Sequence, residues 1–435
     1  MSNPRQVAFD ALIKVEKQGG YSNLTLDYVL SKNELNSKGR AFVSNLFYGT
    51  VERKITLDYQ LSLYLTKPLK KLKPEVLTIM RMGAYQILFM DKIPDSAAVN
   101  ESVKLSKKNG SAFASSLINA VLRKVSSSGI VYPETDKTVE KLSVEYSCPQ
   151  WLIEKWINEY GVDDTTEILK ASIGKPPVYI RVNTTKTDTC SLKASFSENG
   201  INCECTQIDD SLILDCSGSD IERFPQYKEG LFHVQDLASQ ICAKALEAEE
   251  GDTVYDLCSA PGGKAYTVAE TMKNKGKLLC FDIYDSRVKL ISDGAKRLGL
   301  DIIQAKAGDA SVFNAELEKA DKVLCDVPCS GFGIIRRKPE IKYKDKNEAD
   351  SLPEIQYSIL ANGAEYVKVG GRLLYSTCTL SKAENEGVTE RFLKENKDFE
   401  PAYFNFNNEK VHNLTLMPHK NKSDGFYICV FKRIK

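Results

Sequence analysis

Apolar residues near the amino terminus recur at the spacing of an α-helix. In PRQVAFDALIKVEK they fall on one helical face, which carries Val7, Ala8, Ala11, Leu12 and Val15. The run SKGRAFVSNLFYGTVERKITLDYQLSLYL keeps this periodicity over a length that suits two helices. KPEVLTIMRMGAYQILFM follows, with Pro74 near a helix start and enough apolar residues for a central core helix. The pattern therefore predicts an all-α bundle over residues 1–130.

The pattern changes farther along the chain. Residues 127–145 are polar and contain turn residues, which predicts a linker. Residues 146–240 mix the two periods of helix and strand. CPQWLIEKWINEYG predicts a helix that ends at Gly161, whereas VYIRVNTTKT and SLILDC predict strands. We interpret residues 146–240 as a small α+β module.

Residues 241–435 form the third predicted domain, in which strand and helix patterns alternate from residue 251 onward. Five apolar runs have the character of strands, namely DTVYDL, GKLLCFDI, IIQAKAGDA, DKVLCDV and GGRLLYST. Each is followed by a helical or loop pattern, and this alternation predicts a parallel, doubly wound α/β sheet. The last run, DGFYICVFKR, alternates after a turn and predicts an antiparallel strand near the sheet edge.

Composition narrows the class of protein. Apolar and charged residues make up 42% and 27% of the chain, as in folded globular proteins. No apolar run approaches the ~20 residues of a membrane-spanning helix, and the amino terminus lacks the apolar stretch of a signal peptide. Twelve cysteines are scattered without C-x-x-C pairs beside three histidines, which disfavours a zinc site or a disulfide framework. We expect a cytoplasmic protein with reduced thiols and no membrane partner.

Charge is unevenly distributed along the chain. The whole chain carries a net charge of +1, whereas residues 1–130 contain 19 Lys and Arg against 10 Asp and Glu. The first 130 residues therefore carry +9 and the remainder −8. A basic domain on a nearly neutral chain predicts a polyanionic partner. A solvated lysine-rich surface is the alternative, which charge alone does not exclude.

A glycine turn joins a predicted strand to a helix in VYDLCSAPGGKAYTVAETM. Gly262 and Gly263 let a ligand approach the backbone, although their spacing matches neither the dinucleotide nor the P-loop fingerprint. Asp282 ends the next strand, where an acid can bind both ribose hydroxyls, and Asp309 follows the third strand near the expected adenine. Successive acids beside a loop of this kind predict S-adenosyl-L-methionine as the cofactor. Helix caps or turns are the alternative roles of both acids.

Two cysteines follow two of the predicted strands, Cys329 in DKVLCDVPCSGFG and Cys378 in GGRLLYSTCTL. Asp-Val-Pro-Cys stands where adenine methylases of this sheet type place Asn/Asp-Pro-Pro-aromatic, which argues against an exocyclic amine as the methyl acceptor. A pyrimidine C5 is a poor nucleophile, but addition of a thiolate to C6 makes an enamine that can attack a methyl sulfonium. Two cysteines suit two tasks, attack and resolution of the adduct. Their spacing does not assign the tasks.

The motifs LCSAPGGK, DVPCSGFGIIRRKPEIK and YSTCTLSKAENE closely resemble those of the bacterial RNA cytosine-C5 methyltransferases. DSAAVNESVKLSKK and SAFASSLINAVLRKV resemble the antitermination factor NusB, and the combination resembles the Sun/Fmu type. The likeness covers nearly the whole chain and is loosest in the middle module, where GLFHVQDLASQ matches best. It implies a NusB-like RNA-binding bundle at 1–130, the small α+β module at 146–240, and a Rossmann-like methyltransferase domain at 241–435 with a seven-stranded, mostly parallel sheet.

The resemblance also implies roles for single residues. Cys378 would attack C6, Cys329 would assist release of the methylated product, and Asp326 would contact both the cytosine and the donor. DNA cytosine methylases attack with their Pro-Cys thiol, so the choice of Cys378 rests on the resemblance. The S-adenosyl-L-methionine site would comprise Asp282, Asp309, Asp326 and the loop residues Cys258, Ser259, Ala260, Pro261, Gly262, Gly263 and Lys264. Lys264 would orient the carboxylate or a thiol.

The implied substrate is a cytosine of 16S ribosomal RNA, cytosine 967 in conventional numbering, in naked or early-assembly RNA bound by a monomer. Arg336, Arg337 and Lys338 follow the Cys329 loop and are predicted to hold RNA phosphates at the pocket mouth. The target base must leave its stack, which is easiest in single-stranded or hairpin-loop RNA. Transfer RNA, another ribosomal site, or a non-catalytic NusB-like RNA-binding factor are the alternatives. The bundle and the Thr-Cys arrangement disfavour a DNA cytosine methylase.

Overall fold

The computed structural model describes residues 2–18, 22–215 and 221–435. These residues divide into two units. The helical unit comprises residues 2–174 and 335–344, and the sheet unit comprises residues 175–334 and 345–435. No helix in the described residues is long and apolar enough to cross a membrane.

The helical unit is a bundle of amphipathic helices. Its described α-helices are α1 (Pro4–Gln18), α2 (Ser22–Ser31), α3 (Ser37–Glu52), α4 (Lys54–Ser62), α5 (Pro74–Phe89), α6 (Asp95–Lys108), α7 (Ser115–Ser128), α8 (Thr138–Tyr146) and α9 (Gln150–Ala171). Short 3₁₀ turns occur at Leu69–Lys71, Ala112–Ala114 and Pro339–Tyr343. α5 begins at the predicted Pro74, and its Ile79, Met80 and Ala84 are fully buried in the core. The prediction of a helical bundle is confirmed.

Two local predictions in this unit are wrong. The predicted linker at 127–145 contains α8, whose Leu142 and Val144 are buried, because the polar stretch still carries an apolar helical stripe. The predicted helix end at Gly161 is a kink. Gly161 has a φ of 83°, and the chain resumes a helical path to Ala171.

The first part of the sheet unit is a four-stranded antiparallel sheet with short helices. Its elements are β1 (Val178–Val182), α10 (Thr189–Glu198), β2 (Asn202–Cys205), β3 (Ser211–Asp215), α11 (Pro225–Lys228), β4 (Phe232–Val234) and α12 (Leu237–Ala245), with a 3₁₀ turn at Ile221–Arg223. The strand order is β2-β3-β1-β4. Both predicted strands are present as β1 and β3, and Cys216 at the end of the second lies outside the described residues.

The large sheet is built from the alternating segments of the carboxyl-terminal half. Its elements are β5 (Thr253–Asp256), α13 (Gly263–Thr271), β6 (Lys277–Asp282), α14 (Asp285–Leu298), β7 (Ile303–Ala307), β8 (Ala320–Asp326), α15 (Lys346–Asp350), α16 (Leu352–Glu365), β9 (Val367–Thr377), α17 (Glu386–Glu395), β10 (Phe399–Pro401), β11 (Phe404–Phe406), β12 (Glu409–Val411), β13 (Asn413–Leu416), α18 (Pro418–Asn421) and β14 (Phe426–Arg433). β11 and β12 form a separate two-stranded sheet.

Five of these strands, in the order β7-β6-β5-β8-β9, are parallel, as the alternating pattern predicts. β14 then runs antiparallel to β9 and pairs on its far side with β10 and with β13. The sheet is mostly parallel, and β13 extends the predicted seven strands to eight in the described residues. Successive residues enter opposite cores, Val254 on one face and Tyr255 on the other, because side chains alternate along a strand.

Candidate active site

The carboxyl ends of four neighbouring parallel strands bring polar side chains to one edge of the large sheet. β5, β6 and β8 end at Asp256, Asp282 and Asp326, and β9 ends at Thr377. Asp326 pairs with Ser376 across β8 and β9. Ligands of open α/β sheets bind outside the carboxyl ends of the strands. This edge is therefore the candidate active site.

The loop between β5 and α13 makes a tight turn at this edge. The Ser259 amide donates to the Phe281 carbonyl at 2.8 Å, and the Gly262 amide donates to the Ser259 carbonyl at 2.7 Å. Gly262 has a φ of 107°, and a Cβ added there would lie 2.4 Å from the hydroxyl oxygen of Tyr266. Only glycine fits this position. The loop leads into the first turn of α13, whose backbone N–H groups have no partner within the helix.

A cavity of about 170 Å³ lies beside the loop. Its wall includes Asp326 and six of the predicted loop residues, namely Cys258, Ser259, Ala260, Pro261, Gly263 and Lys264. It also includes residues that the sequence reasoning missed, namely Val234, Gln235, Asp236, Ser239 and Asp256. The first four belong to the stretch FHVQDLAS, which the family resemblance had already marked. Asp256 could have been found as the acid next to the last residue of the predicted strand DTVYDL.

Asp256 is a buried carboxyl group on the cavity wall. It is 1% exposed, and neither of its oxygens has a hydrogen-bond partner among the described residues. Burial raises the pKa of Asp256 to about 7, and the nearby Asp326 carboxylate acts in the same direction. Buried polar groups are normally paired. A ligand group in the cavity, or a proton on the carboxyl group, would satisfy Asp256.

Asp326 is held by two donors. Lys264 Nζ lies 2.7 Å from Asp326 Oδ2, and Ser376 Oγ donates to Asp326 Oδ1 at 2.7 Å. Burial lowers the pKa of Lys264, but the charge and hydrogen bond of Asp326, together with smaller contributions from Cys242 and Cys378, outweigh burial and raise the pKa overall. Lys264 is therefore a cation at neutral pH, close to both the carboxylate and a thiol. This geometry suits the orienting role expected for Lys264.

The two predicted catalytic cysteines lie side by side. Cys329 Sγ and Cys378 Sγ are 3.2 Å apart, and both residues are partly exposed. The hydrogen bond with Cys378 raises the pKa of Cys329 well above its ordinary value, and burial adds to this effect. Cys329 therefore stays protonated at neutral pH. The assignment of Cys378 as the nucleophile stays a prediction.

A buried carboxylate holds the loop that carries Cys329. Glu384 is 1% exposed and accepts hydrogen bonds from the Ser330 amide at 2.9 Å and from Ser330 Oγ at 2.7 Å. Gln356 Nε2 bridges Glu384 Oε2 and the Pro328 carbonyl at 2.9 and 3.0 Å. Ser330 Oγ also lies 2.7 Å from Thr379 Oγ1, next to Cys378. The motifs DVPCS and TCTLSKAENE are thus joined by one hydrogen-bond network.

The remaining predicted cofactor acids differ in their surroundings. Asp282 is buried and forms an ion pair with Arg287 at 3.0 Å, and its carbonyl accepts from the Gly308 amide at 3.1 Å. Asp309 is exposed, and its Oδ1 accepts from the amide and hydroxyl of Ser311 at 2.9 and 2.6 Å. Asp309 therefore stabilises a turn, which is the alternative role that the sequence allowed. Its role toward adenine stays a prediction.

Arg336, Arg337 and Lys338 are partly exposed and belong to the helical unit, whereas both cysteines belong to the sheet unit. Arg336 Nε lies 3.4 Å from the Gly174 carbonyl. The structure does not gather these three cations and the cysteines into one unit. Their contact with RNA stays a prediction.

Models of known protein families match three parts of the chain. The model of the 16S rRNA methyltransferase RsmB/F family matches residues 243–432. The NusB family model matches residues 2–127, and the ferredoxin-like domain of RsmF/B-like methyltransferases matches residues 148–219. These matches confirm the resemblance drawn from the motifs and the expected fold classes.

Relatives match over the full length of the chain. The "probable ribosomal RNA small subunit methyltransferase B" of Bacillus subtilis is 38% identical and covers 99% of this chain and 98% of its own length. The protein of the same name from Synechocystis is 32% identical and covers 100% of both chains. A crystal structure of PH0851 superposes with a TM-score of 0.83 at 25% identity, covering 100% of this chain and 99% of its own. The chain therefore belongs to the RsmB/F family of 16S ribosomal RNA methyltransferases, enzymes that use S-adenosyl-L-methionine as the methyl donor.

Proposed function

We propose that this methyltransferase acts on C5 of a cytosine in 16S ribosomal RNA through a transient bond between Cys378 and C6 of the base. The observation that carries the proposal is the Cys329–Cys378 pair, whose sulfur atoms lie 3.2 Å apart. Methylation of an exocyclic amine has no use for a thiol, whereas C5 needs an adduct at C6 and a means of undoing it. We take cytosine 967, which the family resemblance implies, as the target.

The charges around the thiols suit the addition step. The Cys378 thiolate attacks C6, with the Lys264 ammonium nearby and the Cys329 S–H as its hydrogen-bond donor. Asp326, fixed by Lys264 and Ser376, contacts the polar edge of the cytosine ring with its remaining lone pairs. After methyl transfer, a water molecule accepts the proton from C5, the electron pair of the C5–H bond restores the C5–C6 double bond, and the C6–S bond breaks to release Cys378 as a thiolate. The S–H group of Cys329 stabilises this leaving group, which accounts for a role in product release.

The residues at the sheet edge fit the methyl donor. Gly262 allows the tight turn of the loop, because a Cβ there would clash with Tyr266, and Asp256 has unpaired buried oxygens on the cavity wall. S-adenosyl-L-methionine, when bound, supplies an electrophilic methyl group. Asp282 would hold the ribose hydroxyls, Asp309 the adenine, and the loop 258–264 the remainder.

The RNA would be held mainly through its phosphates. The first 130 residues carry a net charge of +9, and Arg336, Arg337 and Lys338 add cations to the same unit. Such contacts position RNA without reading its sequence and weaken steeply with salt. We propose that the enzyme acts as a monomer on naked or early-assembly RNA.

The decisive experiment is methylation of unmodified 16S ribosomal RNA followed by bisulfite sequencing. A single protected cytosine at position 967 is the expected result. Protection of a different ribosomal cytosine, or of a cytosine in transfer RNA alone, would refute the proposed substrate but support the proposed C5 methylation. Binding of RNA without any label transfer from the donor would overturn the enzymatic proposal in favour of a non-catalytic RNA-binding factor.

A further inference from the structure

Residues 335–344 belong to the helical unit although the chain on both sides belongs to the sheet unit. We call this stretch the anchor segment. It includes the 3₁₀ turn Pro339–Tyr343 and begins six residues after Cys329. Ile335 and Ile341 are 3% and 8% exposed. The described residues of the segment are all buried or partly buried, so it is not a solvent-exposed loop.

Two polar side chains fasten the anchor segment to the carboxyl-terminal end of α3. Lys342 Nζ donates to the Glu52 carbonyl at 2.7 Å, and the Tyr343 hydroxyl donates to the Val51 carbonyl at 3.0 Å. These are carbonyls of the last helical turn, which has no basic residue of its own. A cation at the carboxyl end of a helix is stabilised by the helix dipole and by carbonyls that lack intrahelical partners.

The burial of Lys342 is unusual for a lysine. The residue is 1% exposed, and burial lowers its pKa to about 8. Lysine is almost never fully buried unless it is paired, because removing its charge from water is costly. An apolar residue would fill the same volume without this cost. The hydrogen bond to α3 thus fixes the direction of the segment in a way that simple apolar packing would not.

The chain just before the anchor segment is fixed in the sheet unit. The Gly333 amide donates to the Cys378 carbonyl at 3.0 Å, and the Gly333 carbonyl accepts from the Gly425 amide at 2.9 Å. A Cβ added to Gly333 would lie 1.9 Å from the Gly425 carbonyl oxygen, so the backbones touch here. Only Ile334 separates Gly333 from the buried Ile335. One residue spans at most about 3.6 Å, which leaves almost no slack.

We propose that the Lys342–Tyr343 anchor makes the helical unit a positioning element for the Cys329 loop, in addition to any part it has in binding RNA. The inference rests on the proposed function, because the loop that it positions carries one of the two thiols. Lys342 and Tyr343 are positioning residues, since they act through Ile334 and Gly333 on the Cys329–Cys378 pair.

The test either lengthens the connection between Gly333 and the anchor segment or removes the hydrogen bonds that attach the anchor segment to α3. One variant inserts two glycines between Ile334 and Ile335, which leaves both attachments intact. Lys342→Met removes the hydrogen bond to the Glu52 carbonyl, and Tyr343→Phe removes the hydrogen bonds of the hydroxyl group. Lys346→Met, at an exposed lysine outside the segment, is the matched control. The readouts are single-turnover methylation of 16S ribosomal RNA, the Kd for that RNA, and the iodoacetamide alkylation rates of Cys329 and Cys378 without RNA.

We expect the insertion and Lys342→Met to slow single-turnover methylation about tenfold and to change the alkylation rates, with the RNA Kd within twofold of wild type. Tyr343→Phe should have a smaller effect in the same direction, and the control none. An insertion variant with wild-type methylation and alkylation rates would overturn the proposal, as would a loss confined to RNA Kd. Alkylation is independent of the methylation reaction, so a changed alkylation pattern in an enzyme that forms no 5-methylcytosine would refute the proposed function and leave the coupling intact.

Discussion

Cys329 and Cys378 are 49 residues apart in the chain, yet their sulfur atoms lie 3.2 Å apart at the edge of the large sheet. One follows β8 and the other follows β9, and these two strands are parallel neighbours. The Ser330–Glu384 hydrogen bonds hold the first loop against the second. The two thiols are thus held side by side by contacts between the two loops.

The roles of the two thiols can be separated by replacing each in turn. Cys378→Ala should abolish methylation, because it removes the proposed nucleophile toward C6. Cys329→Ala should still form the adduct and transfer the methyl group, then stall as a protein–RNA complex that survives denaturing electrophoresis. The measurement is gel migration of labelled RNA with each variant. If the Cys378→Ala protein were the one that accumulates the complex, the assignment would be reversed.

Lys264→Met should lower kcat about 100-fold, the usual effect of removing one fixed charge that stabilises a reacting anion. Lys264 Nζ forms an ion pair with Asp326 and lies near Cys378. Its loss therefore removes the positive charge that stabilises the Asp326 carboxylate and the attacking thiolate. The Lys264 pKa is raised in the folded protein, so its contribution to stability is present at every pH below about 10 and the variant should lose stability equally at pH 6 and 9. The exposed Lys289→Met serves as the control for methylation rate and thermal unfolding. Unchanged kcat in Lys264→Met would remove this residue from the catalytic account.

Glu384→Gln tests the buried network that holds the Cys329 loop. Glutamine has the same shape as glutamate, but one of its two side-chain oxygens is replaced by an NH₂ group, which donates and does not accept. In the variant, a donor of Ser330 or the amide of Gln356 would therefore lose its acceptor. An unsatisfied buried donor costs about 1–3 kcal/mol, and we expect a loss of this size in the free energy of unfolding. Turnover should fall while the KM for the methyl donor stays constant, which steady-state kinetics will measure. The exposed Glu390→Gln on α17 is the matched control.

The sequence predicted the elements at the site but not the contacts between them. Local patterns revealed β5, β6, β8 and β9, because apolar runs that end in an acid or a small residue are visible in any window of ten residues. Nothing in the sequence around Glu384 indicates its buried role, because its hydrogen-bond partner Ser330 lies 54 residues away in the chain. Lys342 lies in a stretch whose composition is typical of a solvated basic loop. Its burial depends on α3, which is nearly 300 residues away in the chain. Such long-range pairings carry no local signal.

Salt dependence tests the cations that follow the Cys329 loop. The double variant Arg336→Gln/Arg337→Gln should weaken binding of 16S ribosomal RNA at every sequence and flatten the plot of log Kd against log salt concentration. Each lost phosphate contact lowers that slope by about 0.7 to 0.9. Lys410→Gln, an exposed cation on β12 of the sheet unit, is the control. An unchanged slope in the double variant would exclude both arginines from phosphate contact.

Asp256 makes stability depend on pH in a predictable direction. Its pKa is raised to about 7 in the folded protein, against about 3.9 in an unfolded chain. The folded state therefore holds the proton more tightly, so the stabilising contribution is complete below pH 4 and is lost as pH rises to about 7. Three pKa units correspond to about 4 kcal/mol.

Asp256→Asn removes this pH dependence. The free energy of unfolding of the variant, relative to that of wild type, should therefore increase as the pH is raised from 5 to 8. Urea unfolding followed by circular dichroism at both pH values measures the gain, with the exposed Asp301→Asn as the control. Parallel pH profiles for wild type and Asp256→Asn would show that the carboxyl group is ionised and satisfied in the folded protein, contrary to the burial that the structure shows.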